Sequence, residues 1–101
     1  SGVDLEAAAG SHILAVADGT VVESGYNEAY GYMVILEHAG GVQTFYAHMT
    51  DYLVLTGDTV QQGQIIGTVG STGWSTGPHL HLGVMIDGES VDPLAALQSE
   101  A

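Results

Sequence analysis

Residues 54–70, VLTGDTVQQGQIIGTVG, alternate short apolar runs with closely spaced glycines and polar turn-forming residues. Such punctuation is typical of many short strands joined by tight turns. It continues towards both ends of the chain, and turns are predicted where Gly or Asp readily takes a positive φ, at Asp18-Gly19, Gly40-Gly41, Thr56-Gly57-Asp58, Gln62-Gly63 and Asp87-Gly88. The sequence therefore predicts an all-β fold.

Six runs rich in Val, Ile, Thr and Tyr form the candidate strands. They are Ile13 to Ala17, Thr20 to Tyr26, Tyr32 to His38, Gln43 to Met49, Ile65 to Gly70 and His79 to Ile86. We expect mainly antiparallel strands that form a two-sheet, sandwich-like groove. A short C-terminal helical turn is predicted from Asp92 to Gln98, with Asp92 as N-cap and Pro93 at the first helical position.

The length of 101 residues suits one domain, so residues 1–101 are expected to form a single unit with one site. No run of about 18 apolar residues and no basic-then-apolar leader occurs. We therefore expect a soluble chain without membrane insertion. The absence of Cys excludes disulfides, thiolate metal sites and cysteine nucleophiles, so that any metal must be held by His, Asp or Glu.

The chain contains no Lys or Arg and twelve Asp and Glu, which gives a formal net charge of -12. Binding to nucleic acid or to anionic membranes depends on Lys and Arg, so neither is expected. A Schiff-base lysine and a phosphate-binding P-loop are excluded for the same reason. The glycine spacing of residues 54–70 also occurs in biotinyl and lipoyl carrier domains, but these need a lysine to modify.

This acidic composition favours metal ions and cationic peptides as ligands. Self-repulsion opposes the compact state unless salt, divalent ions or neighbouring subunits relieve it. Assembly into a homo-oligomer or filament is therefore compatible with the sequence.

The segment His79-Leu80-His81 is the strongest candidate for chemistry. Side chains alternate between faces along a strand, so His79 and His81 share one face, with Cα atoms about 7 Å apart. That spacing allows one imidazole to bind a metal while the other reaches the reacting water or substrate. Two surface histidines on a half-buried strand are the alternative interpretation.

The neighbouring residues resemble the lysostaphin-like zinc metallopeptidases, a family of peptidoglycan endopeptidases. Gly70-Ser71-Thr72-Gly73-Trp74-Ser75-Thr76-Gly77-Pro78-His79-Leu80-His81 is similar to the family signature. Phe45-Tyr46-Ala47-His48-Met49 resembles its Tyr-Ala-His-Leu segment, and Gly2-Val3-Asp4 the later part of its His-x-Gly-x-Asp segment. Gly63-Gln64-Ile65-Ile66-Gly67 and Val91-Asp92-Pro93-Leu94 also match in order, so the resemblance covers essentially the whole chain.

The resemblance implies a Zn²⁺ site held by Asp4, by His81 and by the histidine of the first motif. It implies that His48 and His79 are the two catalytic histidines. His48 is favoured as general base, with His79 donating to the developing oxyanion, and exchange of these roles remains open. The implied substrate is a peptide of the bacterial cell wall, which places the domain outside the cell or in the periplasm.

The sequence departs from the family pattern at the first motif, because its histidine would lie directly before Ser1. Three explanations are open: the sequence starts one residue late, a partner chain supplies the ligand, or the domain has lost catalysis. The third explanation predicts a non-catalytic secreted subunit that retains the peptidase fold and serves in binding or self-assembly. Such a subunit could be natural or engineered. Leu82-Gly83 also replaces the aromatic residue and Glu that commonly follow His-Leu-His.

Overall fold

The computed structural model describes residues 3–6, 10–70, 79–87 and 89–91, and it gives the backbone alone for residues 3–6, 79–81 and 89–91. These ranges contain a 3-10 turn at Ala39–Gly41 and strands β1 Val3–Glu6, β2 His12–Leu14, β3 Gly19–Asn27, β4 Gly31–Glu37, β5 Val42–Tyr52, β6 Thr59–Val60, β7 Ile65–Val69, β8 His79–Ile86 and β9 Glu89–Val91. The predicted all-β class is confirmed. The helical turn predicted at residues 92–98 lies outside the described residues.

All strand pairings in the described ranges are antiparallel. The main path runs β1-β8-β5-β4-β3-β6, while β7 pairs with both β2 and β5, and β9 pairs with β8. The hydrogen-bonded ladders thus join these strands in one network. The sandwich-like arrangement expected from the sequence takes the form of one curled antiparallel sheet in the described residues.

The hydrophobic core is formed mainly by apolar side chains of β4, β5 and β7, with contributions from β3, β6 and β8. Its largest fully buried members are Tyr46, Leu36, Met49, Ile66, Val21, Val34, Val60 and Val84. Burial of each Leu, Ile, Val or Met side chain contributes about 1.5–3 kcal/mol before the entropy of ordering is subtracted. Leu82 of β8 is also buried.

One predicted turn has a different physical cause from the one expected. Positive φ values occur at Gly40, Gly41, Gly57 and Asp87, but not at Gly19. A Cβ added at Gly19 would lie 2.5 Å from the carbonyl oxygen of Glu37, where β3 begins against the end of β4. Gly19 is therefore required for close approach of two backbones, and the prediction of a positive φ there was wrong.

His38 connects the Asp18 turn to β5 through hydrogen bonds at both ring nitrogens. Its Nδ1 lies 2.7 Å from the carbonyl oxygen of Asp18, and its Nε2 lies 2.7 Å from Oγ1 of Thr44. Because a carbonyl oxygen only accepts, the proton of a neutral ring is on Nδ1. His38 thus has a structural role, and its ring is not available as a metal ligand.

The described part of the chain contains no helix with both the length and the apolar character to span a membrane.

Candidate functional site

Strand β8 brings three of the four predicted site residues into one small patch of backbone. His81 pairs with Asp4 of β1 on one side and with Ala47 of β5 on the other. His79, two residues earlier, pairs with Glu6 of β1. The two residues expected to hold metal are therefore direct cross-strand neighbours, although 77 positions separate them along the sequence.

This register fits the donor set that the resemblance implies. Residues directly opposite each other in an antiparallel pair have Cβ atoms about 4.5–5.5 Å apart. Carboxylate and neutral imidazole are both ordinary ligands of Zn²⁺, which takes three protein ligands in a catalytic site. Among residues whose side chains are described, no group of three or more His, Asp or Glu could hold a metal. A metal site at Asp4 and His81 stays a prediction that requires one further ligand.

His48 lies at an irregularity in β5, next to the residue that pairs with His81. Tyr32 pairs with Met49 and Val34 with Tyr46, so that Ala47 and His48 together oppose the single residue between Tyr32 and Val34 on β4. This arrangement is a β-bulge. Strand β5 pairs with β8 as far as Ala47 and with β7 from Met49 onwards. His48 thus occupies the position where β5 exchanges one neighbour for another.

The backbone of His48 is in the left-handed region, with φ of 59°. A non-glycine residue in that region is strained by about 1–3 kcal/mol and persists only where its surroundings hold it. Bulges redirect a side chain relative to the regular strand, and they are frequent beside active sites. The backbone conformation of His48 therefore distinguishes it from an ordinary strand histidine. Its side chain is half-buried.

The turn between β3 and β4 contacts this bulge directly. The backbone N–H of His48 donates to the carbonyl oxygen of Tyr30 at 2.7 Å, outside the strand ladders. The rings of Tyr30 and Phe45 meet edge to face, with centroids 4.9 Å apart. Sequence reasoning did not identify Tyr30, because a main-chain acceptor has no residue signature. It also did not identify Glu6, since the partner of His79 follows only from the β1–β8 register.

His12 lies outside the predicted site, because it is exposed on β2 and not on β1, β5 or β8. Trp74, in the segment that resembles the family signature, lies outside the described residues. The side-chain positions of Asp4, His79 and His81 are likewise outside the description, so their assignment as site residues stays a prediction.

Comparison with known proteins gives consistent matches over almost the whole chain. The family model for peptidase family M23 matches residues 1–93. The DD-carboxypeptidase/endopeptidase Mpg of Neisseria meningitidis serogroup B is 43% identical over 95 residues. This match covers 94% of the chain and 22% of the Neisseria protein. The chain thus spans about a fifth of that relative's length.

Solved structures agree with this match. The catalytic domain of the antimicrobial peptidase lysostaphin from Staphylococcus simulans is 38% identical with a TM-score of 0.90, and the match covers 96% of this chain and 77% of that domain. A zinc-containing peptidase from Vibrio cholerae is 33% identical with a TM-score of 0.86, over 89% of this chain and 28% of that protein. The sequence resemblance and the fold therefore point to the same family.

Proposed function

The chain belongs to peptidase family M23, and we propose that it is a zinc-dependent endopeptidase domain that hydrolyses peptides of bacterial peptidoglycan. The observation that carries the proposal is the register that pairs Asp4 with His81 and sets His48 beside that pair. The relatives support it by their names, which describe an endopeptidase, an antimicrobial peptidase and a zinc-containing peptidase. The corresponding site of action is the cell envelope, outside the cell or in the periplasm.

In this proposal a carboxylate oxygen of Asp4 and an imidazole nitrogen of His81 would hold the metal. The first-motif histidine, expected directly before Ser1, would be the third protein ligand. Bound Zn²⁺ supplies a Lewis acid that lowers the pKa of a coordinated water and polarises a carbonyl group. Two ligands alone would hold the metal weakly, because catalytic zinc sites normally use three.

The histidines that do not bind metal transfer the protons. A ring nitrogen of His48 accepts the proton of the attacking water as its oxygen bonds to the peptide carbonyl carbon. A ring N–H of His79 donates a hydrogen bond to the carbonyl oxygen, on which negative charge develops. When the C–N bond breaks, the proton held by His48 passes to the leaving amine, so that His48 returns to its starting state. The proton transfers would balance equally if His48 and His79 exchanged these two roles.

Zinc content is the first test, made on the chain extended by one histidine directly before Ser1. We expect about one zinc per chain, and loss of that zinc in His81→Ala because a protein ligand is removed. His12→Ala is the matched control, since His12 is exposed on a different strand. Retention of zinc by His81→Ala would contradict the assignment of His81 as a ligand. Elemental analysis after exhaustive dialysis measures the zinc content of the unsubstituted protein and of both variants.

Hydrolysis is the second test, made on the same zinc-loaded protein. Removal of a general base costs about 10²–10⁴-fold in rate, so His48→Ala should keep its zinc and lose cleavage by that factor. Purified peptidoglycan and oligoglycine peptides are the substrates, and mass spectrometry identifies the products. A zinc-loaded, folded protein that cleaves neither substrate would favour the non-catalytic binding or assembly subunit.

A further inference from the structure

We infer that Asn27 is a positioning residue for His48, acting through the β3–β4 turn, and this inference rests on the proposed role of His48 in hydrolysis. Asn27 lies at the end of β3, and Tyr30 directly precedes β4. Neither residue belongs to the family motifs that identify the metal ligands and catalytic histidines. The connection is made by hydrogen bonds through the backbone.

The side chain of Asn27 fixes the conformation of the turn. Its Oδ1 accepts from the backbone N–H of Ala29 at 2.8 Å and from that of Tyr30 at 3.3 Å. An Asn side chain that bonds backbone two and three residues ahead mimics a backbone turn and orders it. The turn ends at Gly31, which is buried and has a φ of 67°, a conformation that a side chain would strain. The position of the Tyr30 carbonyl is therefore set from both sides.

The carbonyl of Tyr30 in turn restrains the strained backbone of His48. It accepts the N–H of His48 at 2.7 Å, a bond that the regular ladder does not supply at the bulge. The edge-to-face contact between Tyr30 and Phe45 adds a second attachment to β5, three residues before His48. Without these contacts, His48 could relax from a φ of 59° to an extended value, which would turn its side chain away.

Asn27 therefore contributes to catalysis by holding the direction of the His48 imidazole. A displacement of about 1 Å can cost about 10²-fold in rate, even when the substituted residue is remote from the chemistry. A substrate-binding role for Asn27 would instead change KM, and a purely structural role would lower stability without a specific effect at His48.

The test compares Asn27→Ala with Asn27→Asp, which retains a side-chain acceptor for the same two N–H groups. Asp58→Ala is the matched control, because Asp58 Oδ2 accepts from the backbone N–H of Leu55 at 2.9 Å in another exposed turn. Hydrogen exchange at the amides of His48 and Tyr46 is measured by NMR. The kinetic constants are measured on the zinc-loaded chain carrying the additional histidine.

For Asn27→Ala we expect exchange at the His48 amide to rise about tenfold, with the Tyr46 amide unchanged. We expect kcat to fall about tenfold with KM within about twofold, and Asn27→Asp to restore both measurements. Asp58→Ala should alter neither. Unchanged exchange at His48 in Asn27→Ala would overturn the inference, as would equal effects of Asp58→Ala. Failure of the proposed function can be distinguished from failure of this inference. If the proposed function is wrong, the unsubstituted protein shows no hydrolysis, but hydrogen exchange at the His48 amide can still be compared between the variants.

Discussion

Tyr46 is an almost fully buried residue whose hydroxyl group connects two parts of the core. Its oxygen accepts from the backbone N–H of Val16 at 3.2 Å and lies 3.0 Å from Oγ1 of Thr44. Burial raises the pKa of Tyr46 above 10.0, and the hydrogen bonds to Thr44 and Val16 offset part of that rise. The folded chain therefore retains the phenol proton more firmly than the unfolded chain does.

This difference predicts how stability depends on pH in the alkaline range. Since the folded-state pKa is raised, the contribution of Tyr46 is fully present below pH 10.0 and is lost as pH rises towards the folded value. Tyr46→Phe should reduce the loss of stability above that pH. The same substitution should cost about 1–2 kcal/mol at neutral pH, because it leaves buried polar partners without the hydroxyl.

Chemical denaturation of Tyr46→Phe at several pH values measures both effects. Tyr26→Phe is the matched control, because Tyr26 is 61% exposed whereas Tyr46 is 1% exposed. The free energy of unfolding of Tyr26→Phe should change with pH in the same way as that of the unsubstituted protein, at every pH tested. An alkaline slope for Tyr46→Phe equal to that of the unsubstituted chain would contradict the role assigned to burial.

At the scale of elements, the proposed site depends on the register of β1 against β8. A shift of one residue would reverse the face of every side chain in β1 and separate Asp4 from His81. The chain contains no Cys, so an introduced pair of cysteines reports this register without interference. Leu5 pairs directly with Leu80 in the structure.

We expect Leu5→Cys with Leu80→Cys to form an intramolecular disulfide under mild oxidation. Directly opposed Cα atoms lie about 4.5–5.5 Å apart, within the range that a disulfide spans. Leu5→Cys with Leu82→Cys is the control, since that diagonal separation is about 7–8 Å. Loss of free thiol in the monomer measures the reaction. Faster crosslinking of the Leu82 pair would mean that β1 is displaced by two residues.

The longer strands could be predicted from sequence, because their apolar alternation extends over enough residues. The predicted bounds of β8, His79 to Ile86, are those observed, and β3 and β4 agree within one residue at each end. Strands β1, β6 and β9 were missed, since two to four residues give too short a pattern for a period of two. These three short strands form because they pair with neighbouring strands in the folded sheet.

The candidate site could be predicted only in part, for a related reason. His79 and His81 have a visible spacing, and Asp4 and His48 were found by resemblance to a family. The bulge at His48 had no sequence signal, because β5 was predicted as a regular strand ending at Met49 and in fact extends to Tyr52. Asn27 and Gly31 are recognisable in the sequence as turn-forming residues. The group that they position is the backbone carbonyl of Tyr30, which has no sequence signal.

At the scale of the whole molecule, the absence of Lys and Arg removes almost every attractive ion pair. With twelve acidic side chains and five histidines, opposite charges can come only from histidine or the amino terminus. A substrate carboxylate would likewise meet no Lys or Arg of this chain. For the proposed hydrolysis we therefore expect uncharged or cationic peptides to be cleaved in preference to anionic ones.

The same charge balance predicts that salt stabilises the fold. The longest axis of the molecule is 32 Å, whereas the screening length is about 30 Å at 0.01 M salt and about 3 Å at 1 M. Repulsion therefore acts across the molecule at low salt and is confined to close neighbours at high salt. We expect Tm to rise between these concentrations of NaCl, by about 4–8 °C for each kcal/mol of repulsion removed. Glu23→Gln with Glu28→Gln, both exposed, should reduce the rise. A Tm that stays constant or falls would mean that attractive pairs, not repulsion, dominate the electrostatics of the folded chain.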